Sequence, residues 1–271
     1  MQSVLRSSTS APVAVYHRGG HSGVVLTCEH ASNFIPLGYQ RLGLPAHDLE
    51  RHIAWDIGAL GLAEQMAALL DAPLVFATHS RLLLDLNRDP GAGDSIAEHS
   101  EDTPIPRNVG IGEVERRWRR DWLYTPFHAS VDHLLDEQQA TIGVTALLSI
   151  HSFTPIYQQR QRPWQVGIIS QHDRRLSERL IAALRLDSEL CVGENQPYAA
   201  DDGVYHSVQR HGERRGLPCA MIEVRNDQIS SGRGQLAWAA RLAAALKLAL
   251  AGLPGAVATT TCEPSSGAMA G

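Results

Sequence analysis

The chain has 271 residues, 20% of them charged, with a formal net charge of −5. That length can bury a substantial core, as one large α/β domain or two smaller ones. The charge does not suggest a nucleic-acid surface. No apolar segment approaches the roughly 18 residues of a membrane helix, and Met1–Pro12 lacks the apolar centre of a secretory signal. Four cysteines, Cys28, Cys191, Cys219 and Cys262, stand without CxxC spacing and read as reduced thiols of a cytoplasmic protein. The thirteen histidines are the one unusual count, and several fall at strand ends.

Residues 1–20 read as a flexible start. Val24 to Leu26 is a short, β-branched, buried strand that breaks abruptly into Glu29, His30, Ser32 and Asn33. In an α/β protein, ligands sit beyond the carboxyl ends of the strands, where this cluster arrives. The spacing of Ile53, Ile57, Leu60, Met66 and Leu70 predicts a helix over 45–71, with Asp56 one turn beyond His52. Pro73 to Ala77 is a second strand, and Leu82 to Leu86 reads as an apolar strand bracketed by Arg81 and Arg88. Residues 91–112 lack hydrophobic period and are long for a connection, which favours a functional loop or lid. Residues 113–139 are helical, and Val144 to Ile150 is the clearest core strand, ending in His151 and Ser152.

A strand over 166–169, a charged helix over 174–186 and a short strand at Cys191-Val192 follow. A polar loop then spans 193–203, and 204–216 is helix-like, closing on the stop signal Gly216-Leu217-Pro218. Cys219 to Val224 is the last strand, running into Arg225-Asn226-Asp227, and an Ala/Leu helix covers 235–251. Residues 252–271 read as a disordered tail. With no internal repeat and no strong linker, 21–251 reads as a single catalytic α/β domain with a largely parallel, helix-flanked sheet.

The strand ends carry Glu29 and His30, Arg81 with Asn87 and Arg88, His151, and Glu223 with Arg225, to which Asp56 adds a carboxylate. Two histidines and a carboxylate at the mouth of a sheet form the ligand set of a catalytic zinc, which keeps a fourth position for water. A further carboxylate off the metal would take the proton from that water. Arg81 and Arg88 would supply positive charge for a carboxylate or an oxyanion. Taken singly, each residue has a plainer reading. A lone His after a strand is a hydrogen-bonded loop residue, Asp56 a carboxylate at a helix start, Arg88 a partner of Asp89, and Glu223 a partner of Arg225. Ser149 and Ser152 lack a GxSxG elbow, and there is neither a Walker motif nor a GxGxxG after a strand. Spacing alone stops at an α/β enzyme, a metal-dependent hydrolase.

Five segments nevertheless occur together in one order: Leu26-Thr27-Cys28-Glu29-His30-Ala31-Ser32-Asn33-Phe34-Ile35-Pro36, His52-Ile53-Ala54-Trp55-Asp56-Ile57-Gly58-Ala59, Ser80 to Arg88, Ile150-His151-Ser152-Phe153, and Ile222-Glu223-Val224-Arg225. In that order they resemble the N-formylglutamate amidohydrolase family. The resemblance implies a three-layer α/β/α fold with a central mixed, mainly parallel sheet, phosphorylase/hydrolase-like and similar to zinc carboxypeptidases and aspartoacylase. It implies one divalent metal, zinc, with His30 and His151 as ligands. The carboxypeptidase relatives place a Glu three residues after the first His, where this chain has Asn33. Asp56 is therefore the expected third ligand, with Glu29 as the alternative.

By the same resemblance, Glu223 is the general base and later the acid to the leaving amine. Arg88 clamps a substrate carboxylate, Asn87 assists it, and Arg81 polarises the scissile carbonyl or holds a second carboxylate. His211 and Arg225 would line the same mouth. The implied partner is a small acidic N-acyl amino acid, N-formylglutamate being the named one, cleaved in the cytoplasm as a late step of histidine degradation. No nucleic acid and no membrane are expected, and the oligomeric state is open. Two other readings remain. One is an amidase of another N-acyl amino acid or small peptide, because Cys-Glu-His-Ala-Ser-Asn differs from the Pro-His-Ser-Gly form of the histidine-pathway deformylases. The other is a non-catalytic metal- or ligand-binding protein.

Overall fold

Val24–Cys28 is buried along its whole length, as a strand covered on both faces must be. In the computed structural model, which describes residues 11–143 and 146–253, it is strand β2 of a seven-stranded sheet. In chain order the elements are β1 (Val13–Tyr16), β2, α1 (Ala46–Leu49), α2 (Ala59–Leu70), β3 (Leu74–Ala77), β4 (His99–Ser100), β5 (Thr103–Pro104), α3 (Glu113–Arg119) and α4 (Thr125–Thr141). Then come β6 (Ala146–Phe153), β7 (Ile156–Tyr157), β8 (Arg160–Gln161), β9 (Val166–Ile169), α5 (Arg175–Leu184), β10 (Val192–Glu194), α6 (His206–His211), β11 (Cys219–Arg225) and α7 (Gly232–Ala251). A π-helical turn, Arg120–Tyr124, joins α3 to α4.

The sheet order is β1-β3-β2-β6-β11-β9-β10. Strands β3, β2, β6 and β11 run parallel, and β9 and β10 are parallel to each other. Antiparallel pairings at β1/β3 and β11/β9 make the sheet mixed, as expected. Alternate residues of each strand face opposite sides. Leu26, Leu148, Ile150 and Ile222 pack under α2, α5 and α7. Val25, Leu147 and Met221 face α4, α6 and the segment Leu82–Leu86. The apolar side is filled edge to edge, whereas the other side carries Thr27, Ser149, His151 and Glu223 on the strands' alternate positions.

Three expectations about elements change. The start is not loose from residue 11 on, since Val13–Tyr16 pairs with β3 along Val13↔Ala77 to Tyr16↔Leu74. The helix expected over 45–71 is two helices, with turns between Arg51 and Gly58. The backbone N–H of Asp56 is drawn to the carbonyl of His30, 2.9 Å away. Gly58 then turns with φ +82, where a Cβ would also strike the carbonyl oxygen of Ile229 at 2.3 Å. Asp56 is thus on a loop and not a helical turn beyond His52.

The leucine-rich run from Leu82 is likewise not a strand. Its carbonyls are satisfied by side chains: Leu82 by Asn108 Nδ2 at 2.8 Å, Leu83 by the buried Arg119 at 3.0 Å, and Leu86 by His128 Nε2 at 3.0 Å. With those acceptors filled, four leucines can be buried without a ladder. Residues 91–112 are mostly loop, carrying the two-residue hairpin β4/β5. The expectations for residues 1–10, Val144, the tail from 254 and Cys262 lie outside the described residues. Among the described residues no helix is long and apolar enough to cross a membrane.

Candidate active site

The parallel register brings the chemistry together. Thr27 of β2 is opposite Ser149 of β6, and His151 of β6 is opposite Glu223 of β11. The chain leaves β2 at Glu29 and His30, so four polar groups from three strands meet at their carboxyl ends, where α/β sheets hold ligands. His30, His151 and Glu223 open into a cavity of about 310 Å³. His30, Asp56, Arg81, Asn87, Arg88, His151 and Glu223 all line it.

At its base, one carboxylate oxygen of Asp56 faces two imidazoles. Asp56 Oδ2 lies 2.7 Å from His151 Nδ1 and 3.3 Å from His30 Nδ1. The far nitrogens are already committed. His30 Nε2 donates to Asp85 Oδ1 at 2.7 Å. His151 Nε2 donates to Ser149 Oγ at 2.8 Å, and that hydroxyl donates onward to Glu29 at 2.7 Å. With Nε2 carrying the proton on both rings, the neutral Nδ1 lone pairs point at an anionic oxygen. Such an arrangement calls for a positive charge between them, either an extra proton or a cation. Burial works against charging His151, but hydrogen bonds to Asp56 and Glu29 outweigh it and raise its pKa well above the usual range. His30, His151 and Asp56 offer ligand atoms all within 4.8 Å of one another, so this buried trio could hold a metal ion. Carboxylates behind the imidazoles are what metal-binding histidines ordinarily have.

Glu29 is not part of that trio. Its Oε1 accepts from Thr27 at 2.8 Å, and its Oε2 lies 3.1 Å from His151 Nε2. Although burial pushes the other way, hydrogen bonds from His151, Ser149 and Thr27 hold its carboxyl at about 2. It orients His151 from the side away from Asp56. Asn33 gives its amide to the Leu49 carbonyl at 2.9 Å.

Glu223 has the opposite environment. It is 3% exposed, and its Oε2 has no hydrogen-bond partner among the described residues. Burial pushes its pKa up to about 7, with His151 pulling down and Asp56 pushing up. A buried carboxylate left without a partner beside a potential metal trio is an acceptor kept open for something in the cavity.

Above the trio, Arg81 is gripped by two carboxylates: Nη2 reaches Asp85 at 2.5 Å and Nη1 faces Asp56 at 3.4 Å. Asp85 therefore ties His30, Arg81 and, at 2.9 Å, the backbone N–H of Asn87 into one unit. In the sequence, the signal that singles out Asp85 is Arg81 four residues earlier. Asn87 is locked by the Val204 carbonyl and by the Ser207 N–H at 2.9 Å. Arg88 donates to the Asp202 carbonyl at 2.8 Å and meets Asp94 at 3.3 Å, and its other N–H groups have no hydrogen-bond partner among the described residues.

Two expected residues do not reach the cavity. His211 is fully buried on α6, against His128 at 2.7 Å and Asp132 at 3.0 Å. It supports His128, which holds the Leu86 carbonyl, and so stands one layer behind the wall. Arg225 folds away toward Asp227 at 2.8 Å and the carbonyl of Arg162 at 3.3 Å. An acid two residues downstream captures its guanidinium. Sequence reasoning missed His52, Glu101 and Tyr198, which also line the cavity; His52 and Glu101 are 3.3 Å apart.

Comparison with known proteins agrees with this picture. The sequence profile of the N-formylglutamate amidohydrolase family matches residues 22–230. A solved gene product of Agrobacterium tumefaciens shares 38% identity over 89% of this chain and 96% of its own, with a TM-score of 0.87. The N-formylglutamate amidohydrolase of Ralstonia eutropha has the same fold, with a TM-score of 0.67 at 20% identity over 89% of this chain and 97% of its own. A search of curated proteins finds no match. The match spans every group lining the base of the cavity, and this chain belongs to the N-formylglutamate amidohydrolase family.

Proposed function

We infer that the protein is a zinc-dependent amidohydrolase that cleaves the amide of a small N-acyl amino acid, N-formylglutamate or a relative of it, in the cytoplasm. The products are the carboxylic acid and the free amino acid; for N-formylglutamate, formate and glutamate, as in histidine degradation. The observation that carries this reading is the open carboxylate of Glu223 beside the buried His30-Asp56-His151 trio.

The donor set fits a divalent ion: two imidazole Nδ1 atoms and one carboxylate converge, each imidazole backed by an oxygen acceptor. A zinc ion held there supplies Lewis acidity toward an acyl oxygen and makes water acidic enough to act near neutral pH.

The remaining steps belong to the chain. Arg88, with Asn87 beside it, holds the substrate carboxylate and sets the amide over the trio. Glu223 accepts a proton from the attacking water at its unbonded Oε2. As the carbonyl carbon becomes tetrahedral, Arg81, fixed by Asp85 and Asp56, offers positive charge to the developing oxyanion. Glu223 then delivers the proton to the amide nitrogen, and the C–N bond breaks. A carboxyl with a pKa near 7 is suited to both halves of that transfer.

The test is a panel of N-formyl, N-acetyl and N-carbamoyl amino acids with zinc-loaded protein. Hydrolysis of at least one, abolished in Glu223→Gln with zinc retained, is the expected result. Binding of zinc with no hydrolysis of any panel member would instead leave a non-catalytic binding protein.

A further inference from the structure

Beside the cavity a buried arginine stands without an acid to neutralise it. Arg162, just beyond β8, is 9% exposed, and among the described residues its side chain bonds only to neutral hydroxyls. Nη1 donates to the Tyr198 hydroxyl at 3.2 Å and reaches Thr154 Oγ1 at 3.5 Å. Three rings surround the guanidinium, those of Tyr157, Tyr198 and Phe153, with centroids 4.5, 4.8 and 5.8 Å from its central carbon. Ring faces offset part of the cost of burying a cation. They carry no net charge, however, and a buried charge without a counter-charge is unfavourable. Arg119, the other buried arginine among the described residues, has Glu115 at 2.8 Å.

All three rings belong to the cavity wall, with Arg162 behind them. Tyr198 is the link between that charge and the cavity. Its hydroxyl oxygen accepts from Arg162, and a guanidinium can only donate. The phenol's own proton has no acceptor among the described residues. Burial, and after it the charge of Glu223, pushes the Tyr198 pKa up to about 12, so that proton is retained at neutral pH. The wall thus presents an O–H donor, with a positive charge 3.2 Å behind it, to whatever enters.

In the reading above Arg88 holds one carboxylate and Arg81 serves the acyl oxygen; an N-acyl glutamate brings a second carboxylate. Arg51, near the β4/β5 hairpin, is spent on Asp48 at 2.9 Å and Glu101 at 3.0 Å. We propose that Tyr198, held by Arg162, receives the second carboxylate of an acidic N-acyl amino acid. That assignment rests on the amidohydrolase reading and adds to it the residues that choose acidic over neutral side chains. Tyr198 touches the substrate, and Arg162 is a positioning residue that orients the phenol and supplies the opposite charge. An acyl oxygen would not call for this cation, because Arg81 already stands at the trio, fixed by Asp85 and Asp56.

The experiment compares N-formyl-glutamate with N-formyl-glutamine, a pair of equal shape, on zinc-loaded enzyme. The acidic member should be favoured in kcat/KM by about tenfold or more, the scale of one hydrogen bond to a charged group. Tyr198→Phe should bring the ratio toward one, chiefly by raising KM for the acidic member. Arg162→Met should do the same, and Arg162→Lys should restore part of the preference; Tyr198→Phe, which keeps the ring, carries the test if Arg162→Met folds poorly. A structural role would lower both members alike. Equal turnover of the two by wild-type enzyme overturns this proposal while leaving the amidohydrolase reading intact. So does a ratio unmoved in Tyr198→Phe, or a fall in kcat shared equally by both members, which would move the phenol to the acyl oxygen. Hydrolysis of no N-acyl amino acid at all overturns the amidohydrolase reading and this proposal with it.

Discussion

His151 Nδ1 stands 2.7 Å from Asp56 Oδ2 while its Nε2–H is already given to Ser149, so the ring meets the carboxylate with a lone pair unless a positive charge intervenes. The same holds for His30, whose Nε2–H is given to Asp85. Asp56→Asn should therefore weaken zinc binding by about a hundredfold or more, and Glu29→Gln by the ten- to hundredfold typical of a group behind a ligand. Competition with a chelator measures both. Undiminished affinity in Asp56→Asn would move the carboxylate ligand to Glu29.

Glu223→Gln keeps the shape of the side chain and removes its basicity. Turnover should fall by about 10²–10⁴-fold or more, with zinc content unchanged by metal analysis. Near wild-type turnover would remove Glu223 from the role of proton carrier.

The same residue sets a pH signature in the metal-free protein. Burial raises its folded pKa to about 7, from 4.5 when the chain is exposed. Between those values the folded state holds a proton that the unfolded chain releases. Relative to Glu223→Gln, metal-free wild-type protein should lose stability as pH rises from 4.5 through 7, keeping its full contribution below 4.5. Urea melts of the pair across that range read the difference. Zinc should shift the carboxyl titration down, since a nearby cation favours the carboxylate, and infrared difference spectra across the titration would show it.

Arg88→Ala should cost about 1.5–3 kcal/mol of charge-assisted bonding, roughly ten- to hundredfold in kcat/KM, carried mainly by KM. Arg88→Lys should restore only part of it, because an ammonium cannot present a planar fork to a carboxylate. An unchanged KM in Arg88→Ala would place the carboxylate elsewhere.

Arg119 supports the wall from behind. Only 2% exposed, it donates to the Leu83 carbonyl at 3.0 Å, Asn108 Oδ1 at 2.8 Å and Glu115 at 2.8 Å. Arg119→Met leaves those acceptors unpaired at a cost of about 3–5 kcal/mol. A fall of that size in unfolding free energy by urea titration is expected, with loss of activity following the loss of fold.

Much of the site was legible because apolar runs reveal strands and polar groups interrupt them in place. Val24 to Leu26 followed by Glu29-His30, and Cys219 to Ile222 followed by Glu223, are local patterns in which burial alone determines the element. The family resemblance made Asp56 the expected third ligand, whereas hydrophobic period places it on a helix that does not exist there. Leu82 to Leu86 misled for a related reason. An apolar run implies burial, but whether its carbonyls meet a neighbouring strand or Asn108, Arg119 and His128 depends on distant side chains.

The sequence by itself determined the central strands β2, β3, β6, β9 and β11 and the polar groups that stand at their ends, since these follow from hydrophobic period and turn chemistry within a few residues. Only the tertiary structure decided the partnerships. Register across β6 and β11 sets Glu223 against His151; Asp85 joins His30 to Arg81; Glu29 backs His151 instead of joining the trio. His211 and Arg225 show the same division, one sealed behind Leu86 and one drawn off by Asp227. Hydrogen bonds and ion pairs are settled by which groups packing brings within about 3 Å, and no local pattern carries that distance.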